Sequence, residues 1–111
     1  MGALKLSKPI MINGSEYKEL KFDFDEMTAQ DKLNAGKNYK KAGNVISVQE
    51  LDSDYHLYLF AEAASKANEG VDPIDVLRMG AKDAAKAEKL VRDFFFLDSE
   101  DTLQTNTSEK Q

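Results

Sequence analysis

Few residues in this chain have a side chain and spacing that could do chemistry. His56 is the only histidine, and there is no cysteine. A nucleophilic triad or a metal site needs partners for that imidazole, so His56 reads as a structural or surface residue. General acid–base catalysis asks for two carboxylates in one pocket. The acids fall in two groups, Asp23, Asp25 and Glu26, then Glu50, Asp52 and Asp54. Both read as strand ends, helix caps and solvated faces. The first group also lacks the loop spacing of a calcium-binding motif. Gly14, Gly36, Gly43, Gly70 and Gly80 are isolated from one another and form no phosphate loop. The basic run Lys37, Asn38, Tyr39, Lys40, Lys41 could touch nucleic acid, but it suits a helix C-terminus better, where the macrodipole favours cations. The sequence therefore nominates no catalytic residue, no metal ligand and no cofactor.

The aromatic residues are the anomaly. Phe94, Phe95 and Phe96 are consecutive. On an α-helix they would point in three successive directions, and one core face can take two of them. Phe96 falls with Lys89, Arg92 and Asp93 on what should be the wet side. Tyr55 and Tyr58 show the same excess on an earlier helix. Exposed aromatic patches mark protein-binding surfaces. Tyr55, Tyr58, Phe95 and Phe96 are thus the candidate partner-binding residues.

The elements that must position these rings begin with a hairpin over residues 4–24. Leu4, Leu6, Ile10 and Ile12 alternate on one side of the first run, and Leu20, Phe22 and Phe24 in the second. Asn13-Gly14 between them is a strong hairpin signal. A two-residue loop would pair Ile12 with Ser15 and split the apolar set between two faces. A three-residue loop, 12–14 or 13–15, is therefore expected. Pro9 makes the first strand an edge, at least locally.

Helices follow. The series Thr28 to Asp31 resembles a capping box and starts a helix over 29–42, stopped by Gly43-Asn44, with a thin stripe of Ala29, Leu33, Tyr39 and Ala42. Residues 45–51 are ambiguous between strand and loop. Asp52 and Ser53 can cap a helix over 54–68 with Leu57, Phe60, Ala64 and Ala67 facing the core. Asp72-Pro73 opens a short helix over 73–79. A last helix over 81–97 carries Ala84, Ala87, Leu90, Phe94 and Leu97 on one face, widened by Val91 and Phe95.

Composition bounds the rest. The chain of 111 residues suggests one domain over 1–97 with a disordered polar tail over 98–111. Of the net charge of −5, the four acids and one lysine of 98–111 account for −3. An acidic chain is a poor nucleic-acid binder. No apolar run approaches the ~20 residues of a membrane span, and no signal-peptide core opens the chain.

The quoted residues also resemble a known pattern. A hairpin carrying Leu4, Leu6, Lys8, Pro9, Ile10, Gly14, Leu20 and Phe22 precedes a helix start at Thr28 and Asp31. Asp83, Ala84, Val91, Phe94 and Phe95 follow toward the end. The chain from 4 to 97 is similar to the phage tail assembly chaperone family of contractile and long-tailed phages and prophages. That resemblance implies a non-catalytic protein of the bacterial host cytoplasm, absent from the mature virion. It would bind the tail tape measure protein and help recruit the tail tube protein. A homo-oligomer is compatible with it, and a small structural tail or connector subunit of the virion is the alternative. The expected fold is α+β: an N-terminal β-hairpin followed by a small bundle of three to four helices.

Overall fold

The structure is a computed structural model that describes residues 2–45 and 48–97; the proposed tail, 98–111, lies outside the described residues. The chain folds as an N-terminal antiparallel hairpin followed by four helices. The strands are β1 (Gly2–Ile12) and β2 (Ser15–Phe22). The helices are α1 (Ala29–Lys41), α2 (Ser53–Ala67), α3 (Pro73–Val76) and α4 (Ala81–Arg92). Two 3₁₀ turns, Phe24–Glu26 and Gln49–Leu51, precede α1 and α2, and a π turn, Asp93–Leu97, ends the described chain.

The hairpin corrects the expected turn. Ile12 pairs with Ser15, so the loop is the two residues Asn13 and Gly14, with φ of 52° and 83°. Positive φ at both central positions is the type I′ signature, whose twist matches the strands. The parity problem is solved elsewhere. Between the pairs Lys5–Glu19 and Ile10–Tyr17, β1 carries four residues and β2 only one. This wide bulge slips the register by an odd number, so Leu4 pairs with Leu20 and both are buried. Leu6, Ile10 and Ile12 stay on the core face. Pro9, which has no N–H to give a ladder, sits inside the bulge.

The bulge frees backbone donors, and a side chain far along the chain takes them. The carboxylate of Asp83, fully buried in the first turn of α4, accepts from the Ser7 amide at 2.9 and 3.1 Å. It also accepts from the Ser7 hydroxyl at 3.0 Å and the Lys8 amide at 3.2 Å. On the other strand, the Asn68 amide that ends α2 donates to the Lys21 carbonyl at 2.9 Å. The Asn13 amide donates to the Gly70 carbonyl at 2.8 Å. Both outer edges of the two-stranded sheet and its tip are thereby tied to the helical part.

Helix α2 is the centre, packed against α1, α3, α4 and β2. Tyr55, His56, Leu59, Phe60, Ala61, Ala63 and Ala64 are all buried, so it is enclosed nearly all round. Asp52 caps it by accepting from the Tyr55 amide at 3.1 Å. The capping box on α1 is present, with Thr28 and Asp31 each accepting from the other's amide. The α1 stripe is corrected: Ala35 and Tyr39 are buried and Leu33 points to solvent. Of the ambiguous stretch 45–51, Gln49–Leu51 forms a 3₁₀ turn, and 46–47 lie outside the described residues.

Candidate functional site

The expected surplus of rings is mostly consumed by the fold. Tyr55, expected on an outward face, is only 2 % exposed, with its ring 6.0 Å from that of Tyr39. It is core, because α1 lies across that side of α2. Phe96, expected on the wet side, is half-buried and stacks on His56 at 4.9 Å. Phe95 is half-buried between Phe24, at 5.4 Å, and Phe94, at 4.9 Å. The π turn accounts for this. Three consecutive residues sweep about 200° of an α-helix, whereas the wider winding of a π turn narrows the angle between neighbours. All three phenylalanines can then face inward.

The rings form two groups. Phe22, Phe24, Phe60, Phe94 and Phe95 make one cluster joining β2, α2 and the π turn, with centroids 4.8 to 6.3 Å apart. Tyr39, Tyr55 and Tyr58 make the other, between α1 and α2. Edge-to-face and tilted contacts at such distances add to the burial itself. Tyr55 and Tyr58 share the second group, whereas Phe95 and Phe96 belong around Phe24 and His56.

The polar groups near these clusters serve structure. His56 is 1 % exposed, and its Nε2–H donates to the Gln49 carbonyl at 2.6 Å. The Tyr39 hydroxyl donates to both oxygens of Asp52, at 2.9 and 3.0 Å, joining α1 to the α2 cap. Burial first, then the Asp52 carboxylate, pushes the Tyr39 phenol up to about 12. Asp23 accepts from the Asp25 amide at 3.2 Å as a local cap. Asp31 is held below the usual carboxylate range by Lys66, 2.8 Å away, and by the Thr28 amide. Among the described residues, no group of three or more His, Cys, Asp or Glu is placed to share a metal ion.

What is left outside is aliphatic rather than aromatic. Of the four candidate residues, Tyr58 lines an open apolar groove, of about 510 Å³, between the C-terminal end of α1, α2 and α3. Ala42, Pro73, Ile74 and Leu77 complete its walls, and Ile74 is 71 % exposed. Asn38, Lys41 and Asp72 stand on the rim. Asn38 is held by the Glu62 carboxylate, to which it donates at 3.1 Å; burial and then Asp31 raise that carboxyl above its usual range. Ile74 and Leu77 were not singled out by the sequence as contact residues. No sequence signal marks them: 73–79 reads as one helix, whereas α3 is only four residues long.

No family model matches this chain, and neither a curated protein nor a solved structure matches it. Among the described residues, no helix is long and apolar enough to cross a membrane.

Proposed function

We propose that this chain is a non-catalytic assembly chaperone that holds apolar helical segments of a partner, as the resemblance to phage tail assembly chaperones implies. The partner is the tail tape measure protein, with the tail tube protein recruited afterwards. The site of action is the bacterial host cytoplasm, and the chain is absent from the finished virion.

One observation carries this reading: the groove beside Tyr58, with Ile74 largely exposed in its wall. A folded domain that has packed its phenylalanines against the core still leaves a concave apolar surface open. Its volume suits several apolar side chains of a docked segment, and an amphipathic helix delivers such side chains at spacings of three and four residues. Lys41 and Asp72 on the rim supply one charge of each sign to orient it.

Co-expression with the tape measure protein tests the proposal. The partner should stay soluble with the wild-type chain and precipitate with a chain carrying Ile74→Glu and Leu77→Glu. Equal solubility with and without this chain refutes it. Mass spectrometry of purified particles separates the alternative, since a structural tail or connector subunit would be found in them.

A further inference from the structure

We propose that the acidic segment following Leu97 folds back into a second groove, rimmed by lysines, between α1 and the 3₁₀ turn that leads into α2. This groove, of about 550 Å³, is distinct from the one beside Tyr58. Its floor is Leu33, Gly36 and the edge of Tyr55, and its rim carries Lys32, Lys37 and Lys40. Leu33 is 65 % exposed there.

Gly36 shows that the groove is kept open at a cost. It lies inside α1 and has no positive φ that would call for glycine. A Cβ at this position would meet only Tyr55, at an ordinary 3.9 Å. Alanine would fit and would favour the helix. Packing gives no reason for the missing methyl group; a deeper groove over Tyr55 does.

The position of the chain's exit names the occupant. Phe96 stacks on His56, His56 donates to the Gln49 carbonyl, and Gln49 itself lines the groove. Phe96, one residue before the end of the described chain, therefore lies one ring stack and one hydrogen bond from a residue of the groove. Its next six residues are Asp98, Ser99, Glu100, Asp101, Thr102 and Leu103. Three acids match three lysines, and Leu103 offers an apolar side chain for the floor beside Leu33. Six extended residues reach about 20 Å, enough to lie along the groove. Because the segment is tethered, its effective concentration is on the order of millimolar, so individually weak contacts suffice.

The chain has no cysteine, so Thr105→Cys accepts a nitroxide at one place in the full-length protein. Amide signals of Leu33, Gly36, Lys37 and Lys40 should then be lost by paramagnetic relaxation. They should return at high salt, and with Lys37→Glu and Lys40→Glu. They should return equally with Asp98→Asn, Glu100→Gln and Asp101→Asn, changes that touch no residue of the described fold. Unaffected groove amides overturn the proposal. So does loss centred on Tyr58 and Ile74. Loss in a mixture whose nitroxide and isotope label are on different molecules also overturns it, because a second copy is then the occupant.

Discussion

Replacing Asp83 should detach the hairpin from α4. The carboxylate serves three donors, the Ser7 amide, the Ser7 hydroxyl and the Lys8 amide, at 2.9 to 3.2 Å. It has no exposed surface of its own. Hydrogen bonds to a charged acceptor contribute roughly 1.5–3 kcal/mol each. Ser7 and Lys8 are solvent-exposed residues, so water can replace part of what is lost. Three bonds at the low end come to about 4.5 kcal/mol, and with water making up about 1, Asp83→Ala should cost roughly 3–4 kcal/mol. Domains have about 5–15 kcal/mol of stability in all, so the loss is a large share. Asp83→Asn keeps the shape and one acceptor oxygen but turns an N–H toward the bulge donors; about 2 kcal/mol is expected. The pH dependence supplies a second signature. Burial raises the Asp83 carboxyl, but the Ser7 and Lys8 donors together with Lys86 outweigh it, and the net shift is downward from 3.8. A depressed carboxyl stabilises the fold above its unfolded value and loses that contribution as pH falls through the folded value. Wild type should therefore lose its advantage over Asp83→Asn as pH falls below about 4. Asp31 shifts the same way but is present in both proteins, so the difference isolates Asp83. Urea unfolding followed by circular dichroism at several pH values measures both effects. A cost below about 1 kcal/mol for Asp83→Ala, where a single neutral hydrogen bond would suffice, would show that the bulge does not depend on this carboxylate.

Tyr39→Phe should cost about 1–2 kcal/mol at neutral pH by removing the donor to Asp52. Because the phenol's value is raised to about 12, its contribution is present below the ordinary value of 10 and lost as pH rises toward 12. The variant should show a weaker alkaline loss than wild type when unfolding is followed across that range. Gly36→Ala should raise stability by about 1 kcal/mol in thermal or urea unfolding, since its new methyl group meets only Tyr55 at contact distance. A destabilised Gly36→Ala would mean that packing, not an open groove, selects the glycine.

Much of this fold is written locally. The Asn13-Gly14 turn, the Thr28–Asp31 box, the Asp52 cap and the Asp72-Pro73 helix start each depend on residues within four positions of one another, and α1, α2 and α3 begin within one residue of where those signals place them. The need for an odd correction in the hairpin was also legible, because Leu4, Leu6, Ile10 and Ile12 must share a face with Leu20. Where that correction falls was not. A bulge at residues 6–9 exposes amides that no neighbour in sequence can satisfy, and the acceptor that makes it tolerable lies 76 residues away, in α4. The aromatics divide the same way. Their excess could be counted from composition, but α1 decided that Tyr55 would be enclosed, and His56 and Phe24 gave the three terminal phenylalanines somewhere to turn. Helix caps and tight turns are bonded within a few residues along the chain and can be read from it. Burial depends on which surfaces meet, and those meetings exist only once the helices have packed.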